Sequence, residues 1–144
     1  CSTSYIRHMG ESMTNKDFVT LALTLFGEFR GETKQAIEAG IHVIVNRSKK
    51  RKLSIANVCT QKWQFSCWNT DDPNYRIIAN PDFDVEQPGY TKVLEVLVNY
   101  IKNNPVDFTN GATHYHTTEV SPYWSKNKVP CLKVGKTLFF NDID

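Results

Sequence analysis

Glu28 sits in Gly27-Glu28-Phe29-Arg30-Gly31-Glu32, where an apolar helical run ends between two glycines. A carboxylate at the carboxyl end of a helix faces the negative end of the macrodipole, which disfavours its ionised form. Burial against Phe26 or Phe29 would act in the same direction and suit the side chain to general-acid chemistry. Glu32 competes for that role, but it falls at the start of the next helical pattern, where the dipole favours its negative charge. Further along, Ala112-Thr113-His114-Tyr115-His116-Thr117 alternates as a strand does, sending His114 and His116 to one side and Tyr115 to the other. Two histidines on one strand face could also begin a zinc site, with His42, Glu119 or Cys131 as a third ligand.

The elements that must position these residues follow from the apolar spacing. Thr14 and Asp17 form a capping-box start, and Phe18, Leu21, Ala22, Leu25 and Phe29 mark one buried helical face. Gly27 and Gly31 mark the stop region. A second helix is expected from Thr33 to about Arg47, with Gly40 allowing a close helix crossing. Ser54 caps a short third one. A longer helix from Tyr90 to Asn103 carries Val93, Leu94, Leu97, Val98 and Ile101, and Pro105 ends it. Gln61 to Gly89 reads as irregular. Trp63, Phe65 and Trp68 there either cover the core or line a groove. Cys131 to Phe140 reads as a hairpin around Gly135. Helices first and a small antiparallel sheet last make an α+β domain.

A chain of 144 residues suits one such domain. Residues 1–12 lack apolar periodicity, and His8-Met9 is like a cloning junction, so they read as a vector-derived or disordered leader before a domain spanning 13–144. A net charge of +2 gives no argument for nucleic acid and is compatible with an anionic polymer such as a bacterial wall. Lys49-Lys50-Arg51-Lys52 reads as a solvated helix end. No apolar run has membrane-spanning length. Cys59, Cys67 and Cys131 are irregularly spaced and read as buried thiols, with a Cys59–Cys67 bridge as the alternative.

Four segments fall in order: GEFRGE at Gly27–Glu32, VNR at Val45–Arg47, QFSCWN at Gln64–Asn69 and NGATHYHT at Asn110–Thr117, with Trp124 and the hairpin beyond. This order and spacing resembles the SleB-like cell-wall hydrolases, the spore-cortex-lytic enzyme family, over most of Phe18 to Asn141. The resemblance implies a lysozyme-like α+β fold and lytic transglycosylase activity on peptidoglycan glycan strands. One carboxyl group, matched here by Glu28, then protonates the glycosidic oxygen and afterwards takes the proton of the muramic acid C6 hydroxyl. Gln64, Phe65 and Ser66 match the family's cleft segment, and Tyr115 and His116 its Tyr-His pair. His114 and Trp124 are placed beside them as substrate-binding residues, with Glu32 and Arg30 in support and Glu32 pairing with Arg30 or Arg47.

No cofactor or metal is expected, and the protein is expected to act as a monomer without inserting into a membrane. The expected setting is a phage endolysin, which accumulates in the host cytoplasm before reaching the wall, or an exported bacterial or spore enzyme. Phe29 departs from the family pattern, which has a small residue there. The rival readings are a zinc-dependent wall amidase or peptidase, a hydrolytic muramidase using Asp71 or Asp72 as base, and a saccharide-binding module without turnover.

Overall fold

The computed structural model describes residues 13–61 and 64–143; the expected leader and Trp63 lie outside them. Helix α1 (Asn15–Phe29) starts with the expected capping box, the Asp17 amide donating to Thr14 Oγ1 at 3.1 Å and the Thr14 amide to Asp17 Oδ2 at 3.0 Å. The second Asp17 oxygen accepts the Ala56 amide at 2.9 Å, so the same carboxylate ties α1 to helix α3 (Ile55–Thr60). Ser54 caps α3, as its type and place suggest.

α1 ends at Phe29 with Arg30 as its C-cap, inside the stop region that Gly27 and Gly31 bracket. Helix α2 (Lys34–Arg51), capped by Thr33, runs a full turn beyond the expected Arg47. Lys49, Lys50 and Arg51 complete its last turn, where cations suit the dipole, and Lys52 closes it in the left-handed region at φ 55°. Nearly every α2 residue from Ala36 to Val45 is buried. A helix covered on all sides is the centre of its domain. One face of α2 meets α1 and helix α5 (Pro88–Asn103), in a core that includes Leu21, Leu25, Phe26, Ile41, Ile44 and Leu97. Its other face, Ala36, Ala39 and Val43, packs on Phe139 of the sheet.

Between them, Gln61–Gly89 is less irregular than expected. It holds a single 3-10 turn (Ser66–Trp68) and helix α4 (Pro73–Ile78), which Asp72 caps with Pro73 at its first position. α5 begins at Pro88, two residues before the expected Tyr90, and leaves the predicted core residue Val98 exposed. Strands β1 (His114–Thr117), β2 (Leu132–Val134) and β3 (Thr137–Phe140) form one antiparallel sheet in the order β1-β3-β2. The register pairs Tyr115 with Phe139 on the core face and His114 with Phe140 on the opposite one. The result is the expected α+β domain. Cys59, Cys67 and Cys131 are free thiols. Among the described residues no helix is long and apolar enough to cross a membrane.

Candidate active site

Glu28 is half-buried in the last turn of α1, and two donors from distant parts of the chain fix its carboxylate. Tyr115 Oη donates to Oε1 at 2.6 Å, and the Cys67 amide donates to Oε2 at 3.3 Å. Gly27 makes the second bond possible. A Cβ on residue 27 would lie 2.7 Å from Cys67 Cβ, so only glycine lets the 66–68 turn approach α1 this closely. Trp68 holds that turn in place, its indole N–H donating to Thr24 Oγ1 on α1 at 2.8 Å.

Tyr115 is wedged among Phe29, Phe65 and Phe139, with ring centroids at 5.1, 6.3 and 6.0 Å. Burial, and then the neighbouring Glu28 charge, push its hydroxyl well above the usual tyrosine range, so it stays protonated and remains a donor. Phe29, the departure from the family pattern, therefore backs the tyrosine rather than entering the cleft. A Cβ on Gly40 would lie 2.7 Å from the Phe29 ring, which is the close helix crossing expected at that glycine.

Glu28 opens into a cleft of about 790 Å³. Gln64, Ser66, His114, Tyr115, His116 and Trp124 line it, as expected of them, together with Arg47, Arg51 and Asn69. His114, His116, Trp124 and Phe140 form one aromatic cluster along the outer face of β1, with Trp124 centroids 5.0 Å from His114 and 5.3 Å from Phe140. Burial first, then the charges of Arg47, Arg51 and Lys50, hold His114 down at about 4, so it is neutral at neutral pH. His116 Nδ1 donates to the Thr117 carbonyl at 2.7 Å, which fixes its tautomer.

Three predicted residues are not on the cleft wall. Phe65 is 2 % exposed and packs beneath the Arg47 guanidinium at 5.1 Å, because the pocket side of that segment is taken by its neighbours Gln64 and Ser66. Arg30 lies over the Phe26 ring at 4.9 Å. Glu32 sits in the α1–α2 turn, where its carbonyl accepts from Lys92 Nζ at 2.7 Å; its carboxylate pairs with neither Arg30 nor Arg47 among the described residues.

Asn46 and Arg47 of the VNR segment, with no such role expected from the sequence, hold β1 against Glu28. Asn46 Nδ2 donates to the Ala112 carbonyl and to Asp107 Oδ2, both at 2.9 Å, and Arg47 Nε donates to the Thr113 carbonyl. Asp107 also accepts from the Thr109 amide at 2.8 Å and the Gly111 amide at 3.0 Å, folding the loop that leads into the strand. The adjacent Asn-Arg pair in the VNR segment was the available signal: consecutive residues on α2 grip consecutive carbonyls of the strand entry. Arg51 belongs to the basic run expected to form a solvated helix end. It stands one turn beyond Arg47, on the same helix face, and that spacing was visible.

The donors proposed for zinc are dispersed. His42 packs against Tyr100 and Phe108, Glu119 faces Lys136 at 3.7 Å, and Cys131 Sγ lies 3.2 Å from the Thr109 carbonyl. No group of three or more His, Cys, Asp or Glu side chains among the described residues is placed to hold a metal ion. Asp72, offered as a catalytic base, instead accepts the Asn74 amide at 2.8 Å as the α4 cap.

A carboxylate held by protein donors in a cleft that also presents amide, hydroxyl and aromatic side chains is a site suited to acid–base chemistry on a polar substrate. The family model described as Cell Wall Hydrolase matches residues 31–140, most of the chain. The chain belongs to this SleB-type cell-wall hydrolase family and is an enzyme that acts on peptidoglycan. The matched span begins three residues after Glu28, so the place of that carboxylate in the site rests on its geometry. No curated protein and no solved structure matches the chain.

Proposed function

We propose that the enzyme is a lytic transglycosylase that cleaves the β-1,4 bond between N-acetylmuramic acid and N-acetylglucosamine, with Glu28 as its single acid and base. The observation that carries this reading is that Glu28 is the only carboxylate lining the cleft among the described residues. The usual glycosidase scheme needs two carboxyl groups flanking the bond. A reaction in which the substrate supplies its own nucleophile needs one.

Protonated Glu28 donates to the glycosidic oxygen, and the bond from that oxygen to C1 of the muramic acid breaks. The N-acetylglucosamine leaves with the proton on its 4-hydroxyl. The Glu28 carboxylate then takes the proton of the C6 hydroxyl as O6 closes onto C1, giving the 1,6-anhydro ring and restoring the acid. Tyr115 donates to one carboxylate oxygen and the Cys67 amide to the other, with the Cys67 thiol beside them, and a carboxylate's four lone pairs leave room for this work. Oε2, whose amide bond at 3.3 Å is the longer of the two, carries the transferred proton. Gln64 and Ser66 offer amide and hydroxyl groups to sugar hydroxyls, and Trp124 offers an aromatic face on the β1 side. A lysozyme-like arrangement of helices around the cleft accords with this role. Both settings weighed above, phage endolysin and exported wall enzyme, bring the same cleft to the same polymer.

Mass spectrometry of digested peptidoglycan tests the reading. The products should be lighter by one water than those of hydrolysis, and Glu28→Gln should lower kcat by roughly 10²- to 10⁴-fold with unchanged thermal stability. Reducing-end products would replace it with the hydrolytic reading, and full activity of Glu28→Gln would remove Glu28 from the chemistry.

A further inference from the structure

The α2 side of the cleft carries positive charge that forms no ion pair among the described residues. Arg47 is only 5 % exposed, its Nη1 has no hydrogen-bond partner, and its one bond is from Nε to the Thr113 carbonyl. Burial and the charge of Arg51 pull it down to about 10, which still leaves it cationic at neutral pH. Arg51, one turn away, donates from Nη1 to the amide oxygens of Gln61 at 2.7 Å and Gln64 at 3.1 Å, neutral groups that orient the guanidinium without neutralising it. Lys50 donates to the Ile143 carbonyl at 2.7 Å, again a neutral partner. No ion pair among the described residues involves any of the three. Like charges four residues apart on a helix destabilise it. Burying one of them without a counter-ion costs more. Glu28, the only carboxylate on the cleft wall among the described residues, attracts Arg47 through space but forms no ion pair with it, and its oxygens accept from Tyr115 and the Cys67 amide.

A site that holds two guanidinium groups beside a sugar cleft, with neutral groups aiming one of them, matches a carboxylate. We propose that Arg51, with Arg47 behind it, binds a carboxylate on the substituent at the muramic acid lactyl group, and that the enzyme thereby selects glycan strands carrying this charge. The proposal rests on the glycan-cleaving reading and adds a specificity determinant to it. Two sources share the chemistry: the carboxylates of an attached peptide, and the lactyl carboxylate itself where the peptide has been removed.

The experiment compares three substrates: intact peptidoglycan strands, the same strands with carboxylates capped by carbodiimide-coupled methylamine, and strands stripped of peptide by an amidase. Wild type should show KM raised by about tenfold or more on the capped strands, the scale of one lost charge-assisted hydrogen bond. Arg51→Gln should raise KM similarly on intact strands and no longer distinguish intact from capped, while Arg51→Lys keeps most of the preference. Stripped strands cleaved like intact ones show that the lactyl carboxylate freed by the amidase replaces the peptide's at the site, and stripped strands cleaved like capped ones confine the bound group to the peptide. Equal KM on intact and capped strands for wild type, or an Arg51→Gln enzyme that still distinguishes them, overturns the proposal. Neither result touches the cleavage reading, which fails separately if Glu28→Gln remains active.

Discussion

Tyr115 carries a burden out of proportion to one hydroxyl group. Its hydrogen bond to Glu28 spans 87 residues of chain, and three phenylalanines hold its ring so that the hydroxyl has one direction to point. Removing the hydroxyl leaves Glu28 held only from the Cys67 side, by an amide bond of 3.3 Å and the thiol beside it. Tyr115→Phe should therefore lower kcat by about ten- to a hundredfold through misplacement of the acid, with KM little changed. Steady-state kinetics on a defined glycan strand checks this, and an unchanged kcat would reduce Tyr115 to a packing residue. Glu28 itself was legible as the residue of interest, because a carboxylate at a helix end beside aromatics is uncommon chemistry. Its two donors were not, since nothing local to residue 28 names residues 67 and 115.

At the scale of elements, the site depends on how closely the 66–68 turn approaches α1. Gly27→Ala would place a methyl group 2.7 Å from Cys67 Cβ. Overpacking of this kind costs about 1–3 kcal/mol, while alanine gains about 1 kcal/mol over glycine in a helix interior. The net expectation is a loss of about 0–2 kcal/mol together with a lower kcat, because the displaced turn carries the Cys67 amide. Chemical denaturation and kinetics on the same variant test both parts, and a variant more stable than wild type with full activity would contradict the close-approach argument. The long helices were readable because caps and apolar spacing agree over many residues. α4 was not, since six residues show no period, although Asp72 before Pro73 is a helix start in its own right. Gly27 marks the stop region and also serves a packing role that its position did not announce. Glycine signals both helix ends and close packing, and sequence alone does not say which neighbour is about to arrive.

Across the whole molecule, His114 links the cleft's charge to stability. Its folded pKa of about 4 lies below the ordinary 6.5, so between these values the unfolded chain binds more protons than the folded one. Stability should rise with pH through that window, be complete above about 6.5 and be lost as pH falls toward about 4. Urea denaturation at several pH values measures the slope, and His114→Gln should flatten it. A slope equal in both proteins would assign the pH dependence to other groups. The same cations of α2 that depress His114 are those assigned to the substrate's carboxylate, so fold stability and substrate charge draw on one electrostatic feature.

Caps, apolar period and the two-residue alternation at Thr113–Thr117 were enough to determine the α+β class, the main helices and the side of β1 on which each ring falls. These features are local, set by backbone hydrogen-bonding and side-chain geometry within a few residues. The order of the four short segments was likewise a property of the chain alone, and it pointed to the family. Only tertiary structure decided that Phe65 supports the cleft from below, that Arg51 faces the cleft, and that Asn46 and Arg47 clamp the strand entry. Each of those outcomes depends on contacts between segments far apart in the chain, made by packing around α2, and no local pattern encodes which partners a buried helix will meet.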